Sequence, residues 1–243
     1  MAVEDSAARP ARQRAIEGAQ LDHLVVFAHD LEQGVAWCEA TLGVTPGPGG
    51  EHPFMGTHNR LLKIDSATHP AAYLEIIAIN SRAKNDQRTS VNRWFDMDSP
   101  ALQHSVAASG PRLIHFVARV PHIEPAVAAL AALGIDRGRV IEASRQTAVG
   151  ALRWRISVRD DGQRLFDGAL PTLIEWGAVH PAATMAASGL SLESLVIEHP
   201  EADALQAAFD AIGLADIGVN AGPARIAARL TSPRGSVELS SLS

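Results

Sequence analysis

Short apolar runs alternate with helix-spaced stretches along this chain, and the alternation repeats. Residues 21–28 form an apolar run rich in β-branched side chains, as a buried strand requires. Residues 30–42 continue with Leu31, Val35, Cys38 and Leu42 at helical spacing, and Gly43 fits the helix stop. A Pro/Gly loop at 45–52, an apolar run at 60–64, a turn at 65–70 and a strand at 73–79 complete the set. The order then returns: a strand at 113–120, a helix at 123–133 closed by Gly134, and strands at 137–143, 152–159 and 172–176. Both copies predict β-α-β-β-β, with His23 and His115 at matching places on the opening strands.

A third copy is shorter. Leu192-Glu193-Ser194-Leu195-Val196-Ile197 mirrors Leu21-Asp22-His23-Leu24-Val25-Val26, and a helix at 202–214 and strands at 224–230 and 236–242 come after it. Ser194 stands where the histidine belongs, while Glu238 falls near the position of Glu75 and Glu175. The strand pattern therefore does not require histidine, which strengthens His23 and His115 as functional residues. The pattern divides the chain into a disordered tail (1–20), a first module (21–80), a linker holding a short helix (81–112), a second module (113–180) and a degenerate third module (190–243). The linker carries one apolar pair, Trp94-Phe95.

Composition narrows the function. The chain has 243 residues, 47% hydrophobic and 20% charged, enough to bury a full core. A formal charge of −6 argues against nucleic acid or an anionic membrane as partner. Cys38 is the single cysteine, which excludes an internal disulfide and a thiolate-built zinc site. No apolar run is long enough to span a bilayer, and the first twenty residues lack the apolar region of a signal peptide, so a cytoplasmic location is expected.

The candidate chemistry lies in four polar residues inside apolar strands: His23, Glu75, His115 and Glu175. Burying each is costly unless it finds a partner. Alternation puts His23 on one face with Val25 and Phe27, Glu75 with Tyr73 and Ile77, and Glu175 with Leu173. If two half-cups join, the quartet can converge on one divalent cation, and this donor set suits Zn²⁺, Ni²⁺, Mn²⁺, Co²⁺ or Fe²⁺ alike. Glu75 or Glu175, released from the metal, would then serve as general base. The alternative is that the four form hydrogen-bonded pairs inside a metal-free cup. His58, Asn59 and Arg60 form the densest polar cluster on a strand, and Asn59 or Arg60 can hold a substrate carboxylate. Turn chemistry leading into the strand explains the same cluster. Trp154 and Trp176 can wall a pocket, although core packing accounts for them equally well.

Leu21-Asp22-His23-Leu24-Val25, Gly56-Thr57-His58-Asn59-Arg60-Leu61-Leu62, Tyr73-Leu74-Glu75 and Leu173-Ile174-Glu175-Trp176 resemble the glyoxalase-like group of the vicinal oxygen chelate superfamily. The resemblance implies an α+β fold in which tandem βαβββ modules curl a mixed sheet into a cup with helices outside, joined here by a truncated βαββ-like third module. It implies a divalent metal held by His23, Glu75, His115 and Glu175. The implied chemistry is of lyase, isomerase or dioxygenase type on a small substrate with vicinal oxygens. It also implies that half-cups can complete each other between chains, making a homodimer the candidate assembly. Some members sequester a small molecule without turning it over, which is the alternative expectation for this chain.

Overall fold

The computed structural model describes residues 18–82, 92–147 and 150–241. The first module runs β1 (Gln20–Phe27), α1 (Leu31–Leu42), β2 (Glu51–His52), β3 (Thr57–Lys63) and β4 (Tyr73–Ile79). Helix α2 (Pro100–Ser109) leads to the second, which runs β5 (Arg112–Arg119), α3 (Ile123–Ala132), β6 (Arg139–Thr147), β7 (Gly150–Val158) and β8 (Thr172–Trp176). The strands of both modules form one eight-stranded sheet in the order β2-β3-β4-β1-β5-β8-β7-β6. In each module the last strand lies parallel to the first, and the two opening strands meet antiparallel at the centre. This pseudo-symmetric sheet curls into the expected cup, with the helices outside. Most of the expected tail, residues 1–17, and part of the linker, 83–91, lie outside the described residues.

Local chemistry sets the element ends. Asp30 caps α1 by accepting from the Gln33 amide at 2.8 Å, and Gly43 ends the helix in the left-handed conformation at φ 76°. Helix α1 approaches the sheet closely at buried Gly34, where an added Cβ would lie 2.6 Å from Ile76 Cγ2. Gly34→Ala should therefore lower stability by about 1–3 kcal/mol through overpacking, despite the better helix propensity of alanine. A raised midpoint in urea unfolding would show that the sheet yields freely there.

The third unit contains β9 (Ser191–His199), α4 (Ala202–Ile212), β10 (Val219–Ala221), β11 (Arg225–Ser232) and β12 (Gly235–Ser240). A three-residue strand thus adds to the βαββ order read from the sequence. Its sheet has the order β10-β9-β11-β12, so the pairing differs from the first two modules. Arg229 stands between Ser194 and Glu238, and Glu238 pairs with Arg225 and Arg229 rather than facing the position of the missing histidine.

Two apolar clusters hold the layers together. Leu24, Val26, Leu74, Phe116 and Leu173 on the outer face of the large sheet pack with Cys38, Leu42, Leu205 and Phe209. Phe116 meets Phe209 edge-on at 6.2 Å, tying the third unit to the back of the cup. Inside the cup, Val25, Phe27, Ile77, Val117 and Ile156 pack with Trp94, Phe95 and Met97. The segment before α2 therefore fills the cup's interior and leaves a cleft beside His23 and Glu75.

Candidate functional site

A β-bulge organises the site. Strand β1 changes register with β5 between Leu21 and His23, so Asp22 is an extra residue in the ladder. Its carboxylate is fully buried and accepts three hydrogen bonds: from Trp176 Nε1 at 2.8 Å, His180 Nε2 at 2.9 Å and His23 Nδ1 at 2.6 Å. The parallel register of β1 and β4 sets His23 opposite Tyr73 and Val25 opposite Glu75, on one face. The His23 ring stacks on Tyr73 at 4.5 Å, and its Nε2 lies 3.6 Å from Glu75 Oε2. Glu75 Oε1 accepts from Asn59 Nδ2 at 2.6 Å, while Asn59 Oδ1 accepts from the Gly50 amide at 2.8 Å. Both His23 and Glu75 are thus held from behind.

Charges are sharply defined here. Burial opposes the His23 imidazolium, but hydrogen bonds to Asp22 and Glu75 outweigh it and raise its pKa to about 9. Burial likewise opposes the two carboxylates, yet Asp22 is held far below its ordinary value by His180 and His23, and Glu75 is lowered chiefly by His23. At neutral pH one imidazolium therefore sits between two carboxylates. Nδ1–H is committed to Asp22, which aims Nε2–H toward Glu75 and the cleft.

The cleft measures about 450 Å³ with its open mouth included. Tyr73, Trp94, Phe95, Trp154 and Trp176 supply aromatic walls beside His23 and Glu75. Trp154 and Trp176 meet at 5.7 Å, so both are walls as well as packing.

Of the four expected metal ligands, His23 and Glu75 converge and the other two do not. His115 is fully buried on the cup side, but its Nδ1 donates to the Gly168 carbonyl at 2.7 Å and its Nε2 accepts from the Thr172 amide at 3.1 Å. Burial, reinforced by the charge of Arg137, holds it well below the ordinary histidine pKa, so it is a neutral structural residue. Glu175 belongs to the other face. On β8 it is Ile174 and Trp176 that line the cleft, while Glu175 Oε2 accepts from the Ile123 amide at 2.7 Å and caps α3. Among the described residues no group of three or more His, Cys, Asp or Glu side chains is arranged to hold a metal ion. The four-ligand centre expected from the sequence does not fit this donor geometry, and Glu175 is not positioned as its base. Glu175→Ala should cost about 1 kcal/mol of stability through the lost cap and leave ligand binding in the cleft unchanged; weaker binding by this variant would return Glu175 to the site.

Alternation also separates the polar cluster on β3. Asn59 and Leu61 face the cup, Asn59 as the anchor of Glu75. Arg60 is exposed on the outer face, and His58 faces outward opposite Glu51, so neither is placed to hold substrate in the cleft. Sequence reasoning misses Asp22 and His180. Strict alternation assigns Asp22 to the face opposite His23, and nothing in the pattern marks the bulge. His180 lies in the loop after β8, where it caps the short turn Pro181–Ala183 through Nδ1.

Comparison with known proteins supports the architecture. The structure of a hypothetical protein from Staphylococcus aureus aligns with 14% identity over 90% of this chain and 84% of that one, at a TM-score of 0.54. This likeness shows the fold alone. Weaker alignments are found with methylmalonyl-CoA epimerase from Streptomyces coelicolor (18% identity, 68% of this chain, 99% of that chain, TM-score 0.41). Methylmalonyl-CoA epimerase from Mycobacterium tuberculosis gives 16% identity over 70% of this chain and 93% of that one, at 0.37. No curated protein matches the chain significantly. The profile of the glyoxalase-like domain matches residues 21–213, and with its paired modules in a curled sheet the chain belongs to that family, within the vicinal oxygen chelate fold.

Proposed function

We propose that this chain is an enzyme of isomerase or lyase type that moves a proton on a small carbonyl substrate, with Glu75 as base and His23 as acid. The observation that carries this reading is the 3.6 Å approach of His23 Nε2 to Glu75 Oε2 at the wall of an aromatic cleft. Glu75 takes a proton from the carbon beside the carbonyl, and the electron pair left behind moves onto the carbonyl oxygen. That oxygen takes the Nε2 proton of His23, whose positive charge Asp22 stabilises. Glu75 then returns its proton to carbon while the enol O–H gives its proton back to His23 Nε2 and the carbonyl re-forms, which restores both residues. The steps are written for the side chains alone, since among the described residues His23 and Glu75 converge while His115 and Glu175 lie apart from them.

The aromatic walls also favour a second reading, a protein that sequesters a flat ligand without turnover. Incubation in heavy water separates the two. A set of small ketones and keto acids, monitored by NMR, should show deuterium entering the carbon beside the carbonyl faster than in buffer. Binding of these compounds without any deuterium entry would favour sequestration and sink the enzymatic reading.

A further inference from the structure

Strands β2 and β6 are the opposite edges of the large sheet, yet Arg145 of β6 reaches the segment beside β2. A Cβ added at Gly50 would meet the Arg145 guanidinium, so the curl brings the two edges together there. Arg145 lines the same cleft as His23, Tyr73 and Glu75. It has no carboxylate partner among the described residues, whereas the imidazolium of His23 is already balanced by Asp22 and Glu75. Trp94 lines the cleft too, and its buried indole N–H has no acceptor among the described residues. His52, another histidine of the lining, is kept neutral, burial lowering its pKa to about 4. The cleft that holds the acid–base pair is therefore also lined by a guanidinium and by an indole N–H that have no partner of their own among the described residues.

We propose that the cleft selects substrates bearing a carboxylate, which Arg145 binds while the carbon beside the substrate's ketone carbonyl faces Glu75. The chemistry after binding rests on the proton-transfer reading, but the binding itself can be tested apart from it. A carboxylate matches the planar fork of arginine, and desolvation by the aromatic walls strengthens the pair. It also explains why Arg60, exposed on the outer face, is not needed for this task.

The probes are phenylpyruvate and benzyl methyl ketone, which differ by a carboxylate against a methyl group. Calorimetry or ligand-observed NMR on the full chain should show phenylpyruvate binding at least about tenfold more tightly than the ketone, with most of that preference lost in Arg145→Met. Gly50→Ala approaches the guanidinium from the other side without changing its charge, and should weaken phenylpyruvate binding while leaving the ketone unaffected. Equal binding of the two probes, failure of phenylpyruvate to bind, or undiminished binding by Arg145→Met would overturn the proposal. Competition by inorganic phosphate as strong as by benzoate would overturn the choice of carboxylate. Carboxylate binding that depends on Arg145 but brings no deuterium entry would uphold this inference and defeat the proton-transfer reading alone.

Discussion

Asp22→Ala is expected to be among the most destabilising single substitutions in the chain. The change leaves Trp176 Nε1, His180 Nε2 and His23 Nδ1 without their shared acceptor in a buried setting. Removing one partner of such a buried charged network costs about 3–5 kcal/mol. Asp22→Asn keeps the shape but offers one acceptor oxygen in place of two, so it should fall between wild type and alanine. Stability should depend on pH at both ends of the range. The His23 pKa is raised from 6.5 to about 9, so its contribution is complete below about 6.5 and is lost as pH rises through about 9. Asp22 and Glu75 are lowered from 3.8 and 4.5, so theirs is present above those values and is lost as pH falls beneath them. Urea unfolding across pH should therefore show a plateau falling on both sides, and Asp22→Ala should flatten the alkaline fall. A variant as stable as wild type, with the same alkaline fall, would show that the buried carboxylate does not organise the site.

Glu75→Gln should abolish turnover while preserving the fold. The amide oxygen can still accept from Asn59, so the cup wall stays intact, but no group remains to take the proton. Loss of a positioned base lowers the rate on the order of a hundred- to ten-thousand-fold. Deuterium entry should fall by that amount, whereas phenylpyruvate affinity changes little because Arg145 is untouched. In wild type, the rate should rise as Glu75 ionises at acid pH and fall above about 9 as His23 loses its proton. Glu75→Gln retaining wild-type exchange would remove Glu75 from the mechanism.

Much of this architecture is legible in the sequence, for physical reasons. Repeated alternation identifies both modules, and it places His23 with Val25 and Phe27 inside the cup because long strands have an unambiguous phase. It fails on β8, five residues long and apolar on both sides of Glu175, where equivalence to Glu75 suggests an inward side chain. His115 occupies the repeat position of His23 but has different neighbours: Thr172 and the Gly168 carbonyl consume both of its nitrogens. Asp22 is hidden by a bulge, which breaks the very periodicity used to read strands. Arg145 comes after Ile141 and Ala143 on alternate positions of β6, so its inward side is readable. Its closeness to Gly50 is not, because that depends on how far the sheet curls.

A buried imidazolium, clamped by Asp22 and facing Glu75, is the centre on which the proposed chemistry depends. The most direct measurement of it is an NMR pH titration of ¹⁵N-labelled histidine, with His23 assigned by its loss in His23→Gln. Both ring nitrogens of His23 are expected to stay protonated through neutral pH and to titrate near pH 9. A His23 resonance that titrates at or below its ordinary 6.5 would contradict this assignment.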